Sequence, residues 1–470
     1  MAKPPVSAPA DTAGTRGRTL GDFRHPSPAP VTSSDPDSVL ARDGDYESSP
    51  GVREALAAID GGATAILITG RAGTGKTRLV HHLRERPGGD KQAVVAPTGV
   101  AALNARAQTI HSFFQLPFGV LDSRALTPAR NTGKLFRHME RLIIDEVSMV
   151  RADILDAIDA RLRQGRRDPR PFGGVQVVLV GDFLQLPPVV ERDHLPILQA
   201  LGYENPFAFS AKVLNQVGVE TIELDHVYRQ EEQAFVDILA KLRTGEDVEE
   251  AVRRLNERCV KPHRADATPI LLTPTRAAAE RYNRDGLERI AGPGVEYAAR
   301  IDGKLEVAQD RLPVPERLEL KVGARVMAVR NDLSKRWVNG SLGTVTALEP
   351  ERVLVQFDHE PVSHAVERAS WEKVRQEWND ASQSIASTTL AAYSQIPLLP
   401  AWAITIHKAQ GLSLDDVRLD LGRGAFASGQ LYVALSRART LDGLSLTRMI
   451  RPNDVMVDSM LLDFVRWLRK

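Results

Sequence analysis

Cysteine is almost missing: Cys259 is the only one in 470 residues. That excludes an internal disulfide framework and a Cys-rich zinc centre, and it fits a reducing compartment, of which the cytoplasm is the simplest. An excess of one charge is missing too. The 61 Lys and Arg are balanced by 60 Asp and Glu, for a formal net charge of +1. No global field therefore advertises a polyanionic partner, and any nucleic-acid contact has to come from a local groove. Long apolar runs are absent: none approaches the roughly 18 residues of a membrane span. The N-terminus lacks the apolar core of a signal peptide, so no membrane partner is expected. No repeat at solenoid period appears.

What is present is enough apolar residue, 43%, to fill several cores, and the length requires more than one. Residues 1–45 carry Pro4, Pro5, Pro9, Pro26, Pro28, Pro30 and Pro36 among Ser, Thr, Asp and Gly, the composition of a disordered tail. Beyond them, short apolar runs alternate with helical stretches: Ala65–Thr69, Ala93–Ala96, Leu142–Ile144, Val175–Val180 and Thr221–Leu224. Runs of this kind predict an α/β fold whose parallel sheet is covered on both faces. A second set, Pro269–Leu272, Ala401–Ile406, Val417–Leu421 and Leu444–Thr447, predicts a second, similar domain. The division expected is 46–225 for the first domain and 226–300 with 396–470 for the second. Between the two parts of the second, 301–395 alternates β-formers with Asn-Gly and Gly turn signals and reads as a small antiparallel barrel.

The chemistry begins at "GRAGTGKT", residues 70–77, preceded by the strand-like "TAILIT" and followed by the helical "RLVHHLRE". This is the phosphate-loop pattern in its required setting. Backbone N–H groups of Gly70, Ala72, Gly73, Thr74 and Gly75 face the phosphates, and the helix that carries Arg78 adds its dipole. Lys76 reaches the β- and γ-phosphates, and Thr77 ligates Mg²⁺. "RLIIDEVSMV" (141–150) ends a strand in Asp145, which can hold the Mg²⁺, and Glu146, placed to orient and deprotonate the attacking water. "VVLVGDFLQLPPV" (177–189) ends another in Gly181, Asp182 and Gln185, a glutamine that can sense the γ-phosphate. Arg229 and Arg437 lie far away in sequence, and across a cleft Arg437 would neutralise transition-state charge.

In order, "GRAGTGKT", "APTGVAALN", "TIHSFF", "LIIDEVSMV", "VVLVGDFLQLPPV", "DHVYRQ", "LLTPTR", "AITIHKAQGLSLDDV" and "LYVALSRART" resemble the blocks of the superfamily 1B helicases, the RecD and Pif group, over residues 52–450. The stretch 153–182, with "PFGG" and Gln176, resembles the Pif signature. The resemblance implies two RecA-like P-loop domains, an SH3-like barrel at 301–395 and a strand-separating wedge at about 116–138. The wedge region carries Arg124, Arg130, Lys134, Arg137 and His138, with Arg141 just beyond.

The resemblance further implies ATP with Mg²⁺ as cofactors and cleft closure through Arg229, Arg437, Gln410 and Gly411. Single-stranded and tailed duplex DNA are the implied partners, gripped by Pro97, Thr98, Gly99, His111, Ser112 and Phe113 in the first domain. Thr275, Arg276, Thr405, His407 and Lys408 serve the second. Movement from 5′ to 3′, unwinding of duplexes, R-loops or G-quadruplexes, and activity as a monomer are implied in the same way. The glutamine with which relatives read adenine is missing from 45–62, so base selection is open; Arg53 reads as a surface arginine, with a substitute base contact as the alternative. Rival readings are a P-loop switch without nucleic-acid stimulation, a DNA-binding scaffold without ATP chemistry, and a motor on RNA.

Overall fold

The computed structural model describes residues 46–469 except 47, 87–88, 99–100, 103–104, 106, 118, 128–131, 231, 262–268, 304–311, 331, 333, 335, 338–339, 359–360 and 380–383. The expected tail 1–45, Gly99 and Arg130 lie outside the described residues.

Six strands form the first sheet: β1 (Ala65–Gly70), β2 (Gln92–Ala96), β3 (Gln108–Thr109), β4 (Arg141–Ile144), β5 (Gln176–Val180) and β6 (Val219–Leu224). Their order is β3-β2-β4-β5-β1-β6, and every pairing is parallel. Alternation along each strand explains why the runs have to be wholly apolar. Ala65 and Leu67 of β1 enter one buried cluster with Leu142, Ile144, Val177 and Leu179. Ile66 and Ile68 enter another, on the opposite face, with Ile143, Val178 and Val180. Both faces of the central strands are covered, so their middles are apolar, and polar residues fall at strand ends, as Arg141 and Gln176 do, or on the edge strands β3 and β6.

The second sheet is also parallel, with β7 (Ile270–Thr273) between the strands Ala403–Thr405 and Val417–Leu419, and Leu444–Leu446 at the edge. In both sheets the loops that carry the motifs leave the carboxyl ends of strands, where open α/β sheets bind ligands.

The inserted segment is built more widely than 301–395, because its strands start at Val295 and end at Pro400. Its described strands form three antiparallel sheets rather than one. One is five-stranded, from 325–328 through 342–348, 352–357 and 363–367, closed by 398–400. A long hairpin, Ala369–Asn379 with Ser384–Gln395, pairs with Arg300–Gly303. Its charged run "WEKVRQEW" has little β-propensity, which hid it in the sequence. The insertion and the second sheet share one continuous core.

The chain's last helix, Ser459–Leu468, departs from the linear division. Leu461, Phe464 and Val465 are buried in the first unit's core, where the Phe464 ring stacks on Phe209 with centroids 3.9 Å apart. Arg469 closes on Glu223 of β6 at 2.6 Å. The amphipathic face of this helix finds its apolar surface across the molecule, which linear order does not reveal. Among the described residues, no helix is long and apolar enough to cross a membrane.

Candidate nucleotide site and nucleic-acid interface

The buried strand β1 runs through the phosphate loop into the helix Lys76–Glu85. Gly73 shows why the loop needs glycine. Its φ is 84°, and a Cβ there would stand 2.7 Å from the Arg229 Cβ. The Lys76 ammonium donates to the Gly70 and Arg71 carbonyls, at 2.8 Å each. Burial pulls its pKa down, and Asp182 and Glu146 oppose that pull. Thr74 donates to the Arg71 carbonyl at 3.0 Å. Thr77 and Arg78 are exposed, and the Arg78 guanidinium lies over the Tyr46 ring, 4.4 Å from its centroid.

Asp145 follows β4 directly and is buried. Burial first, then the neighbouring Glu146, pushes its carboxyl up to about 7. Burial also raises Glu146, although Lys76 and Arg437 pull the other way. Glu146 has a left-handed φ of 53°, a conformation costing about 1–3 kcal/mol that surrounding packing has to hold. That backbone turn leaves its carboxylate accepting from the Gln410 amide of the second unit at 3.1 Å. Two adjacent carboxylates, one buried and one half-buried, stand beside a lysine and form a donor set that a divalent cation would relieve. Asp145 and Glu146 therefore fit Mg²⁺ chemistry.

Asp182, just past the end of β5, is wholly buried. It accepts from the Gln185 amide at 3.2 Å and pairs with Arg243 at 2.8 Å. Arg243 belongs to the helix Gln233–Thr244.

The second unit supplies the opposite wall. Arg229 donates to Ser413 Oγ at 2.6 Å and to the Ser436 and Gly411 carbonyls at 3.3 Å. Burial lowers its pKa to about 10, so it stays charged. Arg437 is 1% exposed and is held by the Val433 carbonyl at 2.9 Å and Ser436 Oγ at 2.7 Å. Burial and then Arg229 lower it to about 9, while Glu146 is among the groups that favour its charge. Tyr432 reaches into the phosphate loop, where its hydroxyl accepts the Ala72 N–H at 2.9 Å.

The two walls touch at Gly429. Its φ is 71°, and an added Cβ would lie 2.4 Å from the Gln185 carbonyl oxygen and 2.6 Å from that of Leu184. Backbone cannot yield as a side-chain tip does. Gly429→Ala is expected to destabilise the fold by about 1–3 kcal/mol and to push the walls apart, read as a lower thermal midpoint with weaker ATP hydrolysis. An unchanged midpoint would contradict the contact.

On the rim, four threonines turn the chain at or just after the carboxyl ends of parallel strands. Thr98 accepts from Ala101 N–H at 3.2 Å, Thr109 from Ser112 at 3.4 Å, Thr275 from Ala278 at 3.3 Å and Thr405 from Lys408 at 3.2 Å. Pro97 sits beside Thr98; Ser112, Thr275 and Arg276 are exposed, and His111, His407 and Lys408 are half-buried. Burial lowers the His407 pKa.

Phe113 is placed differently from the sequence reading. It is buried with Phe114, edge-on to that ring at 4.8 Å and tilted against Phe136 at 6.0 Å, so core packing takes it from the rim.

The basic wedge run is also divided. Arg141 opens β4 and donates to Gln176 Oε1 at 2.6 Å, while Arg124 is tied to Asp122 at 3.0 Å. His138 meets the Lys134 carbonyl at 2.9 Å.

Arg53 is exposed, and Tyr46 instead packs on the loop, donating to the Gly75 carbonyl at 2.7 Å. Sequence reasoning missed Tyr46, Tyr432 and Arg243. For Arg243 a signal existed: it comes after Phe235, Leu239 and Leu242 on the buried face of one helix, a position where a charge needs a partner.

Residues 52–253 match the PIF1-like helicase family and 307–348 the DNA helicase Pif1 2B domain. The chain is 32% identical to the ATP-dependent DNA helicase Pif1 of Bdellovibrio bacteriovorus, across 90% of this chain and 92% of that protein. The chain belongs to the PIF1-like helicase family. It is also 35% identical to the ATP-dependent DNA helicase PIF1 of Rattus norvegicus, across 86% of this chain and 62% of that protein. It thus spans about three-fifths of that longer relative's length.

A Bacteroides sp Pif1 structure in complex with ADP-AlF4 superposes with a TM-score of 0.81 at 36% identity, covering 90% of this chain and 97% of that one. A Bacteroides Pif1 bound to ssDNA gives 0.67 at 36% identity, covering 89% and 96%. The two parallel sheets are therefore the RecA-like pair of this helicase family, with the antiparallel sheets as its insertion.

Proposed function

We propose that this chain is an ATP-dependent DNA helicase that translocates 5′ to 3′ on single-stranded DNA and separates duplexes, R-loops or G-quadruplexes among them. The observation that carries this reading is the convergence in one cleft of Lys76, Asp145, Glu146 and Gln185 from one RecA-like unit and Arg229, Gln410 and Arg437 from the other.

Lys76 would leave its two carbonyls for the β- and γ-phosphates, and Glu146 would take the proton of the attacking water. Thr77 and Asp145 would hold Mg²⁺, which when bound neutralises phosphate charge. Arg229 and Arg437 tie hydrolysis to closure, because both stand on the second unit's side. A single chain supplies both walls, which supports activity as a monomer.

The strand path suggested is the rim. A threonine hydroxyl that accepts a backbone N–H keeps its own hydrogen to donate to a phosphate, and such contacts position a strand without reading sequence. The deciding experiment uses matched duplexes with a single-stranded tail at either the 5′ or the 3′ end. Separation of the 5′-tailed duplex alone is expected. Separation of the 3′-tailed one alone would reverse the polarity, and hydrolysis without separation would leave a translocase or switch.

A further inference from the structure

Between the two motor units runs an ion pair with no access to water. Arg243, in the second unit, donates through Nη2 to Asp182 Oδ1 at 2.8 Å and through Nε to Oδ2 at 3.3 Å. The side chains are 2% and 0% exposed. Asp182 belongs to the first unit and is the residue that holds Gln185, through the amide at 3.2 Å. It also accepts the Leu184 N–H at 3.2 Å, which fixes the backbone of the same loop.

Leu184 and Gln185 form the backbone against which Gly429 of the second unit presses. The loop bearing Gln185 is therefore gripped twice from across the cleft, once by shape and once by charge. Stability alone does not require the pair. Buried ion pairs gain little over apolar packing, whereas losing one partner strands a charge. What the fork geometry does provide is orientation: both carboxylate oxygens are fixed in one plane, so the oxygen facing Gln185 cannot rotate away.

We propose that Arg243 is a positioning residue for hydrolysis, setting the Gln185 carboxamide through Asp182 so that Gln185 is aligned only while the second unit is docked. The proposal rests on the ATPase reading. Arg229 and Arg437 lie within electrostatic reach of Glu146, whereas Arg243 is sealed against Asp182 and would act through it.

The test is steady-state ATP hydrolysis, stimulated by single-stranded DNA, in the full chain. Absence of hydrolysis in the unaltered protein would defeat the ATPase reading itself, a failure separate from any effect of the variants. Arg243→Lys keeps the charge and loses the fork. Its kcat is expected to fall about tenfold, with KM for ATP within about twofold of the unaltered protein. In a Gln185→Ala background the same change is expected to cost less than about twofold more, because two residues of one relay do not add. Because an imperfectly paired Asp182 could unfold the chain, Asp182→Asn with Arg243→Gln is measured beside it. That pair leaves no buried charge, and a similar fall in kcat is expected with the thermal midpoint retained. A folded variant of either kind with unchanged kcat, or losses that add fully to that of Gln185→Ala, would overturn the proposal.

Discussion

Lys76→Ala is expected to cut DNA-stimulated ATP hydrolysis by about a thousandfold while leaving single-strand binding within about threefold. The lysine brings its ammonium to the phosphate loop, where it donates to Gly70 and Arg71 carbonyls at 2.8 Å. Those bonds are local and can be exchanged for phosphate oxygens without moving the backbone. Burial lowers its pKa, and the Asp182 and Glu146 carboxylates oppose that shift.

Alanine deletes that cation but leaves the loop's N–H groups, the helix N-terminus and the rim threonines in place. Hydrolysis should therefore collapse without loss of fold or strand grip. A coupled phosphate-release assay and fluorescence anisotropy on a labelled single strand read the two quantities separately. Ordinary turnover in this variant would remove the site assignment.

Arg437→Lys is expected to lower kcat by about a hundredfold to a thousandfold, with nucleotide affinity nearly unchanged. Lysine is the instructive replacement. Arg437 is 1% exposed and is anchored on Val433 and Leu412 carbonyls and on Ser436 Oγ, so alanine would strand those carbonyls and confuse folding with catalysis. Lysine keeps a charge but cannot hold several acceptors and still point a second nitrogen at phosphate. Burial and Arg229 together already weaken the arginine's hold on its proton. A developing negative charge in the cleft would be stabilised strongly in such a dry place. Equilibrium binding of a non-hydrolysable ATP analogue, set against kcat, separates the two roles. Equal losses in both would make Arg437 a binding residue rather than a transition-state one.

The phosphate loop, the Asp145–Glu146 pair and Gln185 were legible because each is a short local pattern whose chemistry depends on spacing along one strand and its following turn. The parallel sheets were legible for a related reason: a strand covered on both faces has to be apolar throughout, and such runs stand out. Of the rim threonines, Thr98, Thr275 and Thr405 were singled out only through resemblance and Thr109 was not, since a lone threonine after a strand carries no signal of its own.

Other features resisted the same reading. Phe113 sits in "TIHSFF" beside exposed Ser112, yet the neighbouring rings of Phe114 and Phe136 draw it into the core. The basic run up to Arg141 looks like one surface in sequence, but β4 pairing takes Arg141 onto Gln176. The charged hairpin strand 369–379 hides among helix-forming residues because its partner strands, not its own preferences, determine it.

By itself the sequence determined the phosphate-loop pattern and the α/β character of the chain, because backbone conformation and strand burial are set by neighbours a few residues away. Only the tertiary structure decided that Arg243 meets Asp182, that Tyr432 reaches Ala72, that Tyr46 rather than Arg53 packs on the loop, and that the last helix closes the first core. Those contacts join residues tens to hundreds of positions apart. Their partners are selected by which buried charge or apolar face is left to be satisfied once both sheets are in place.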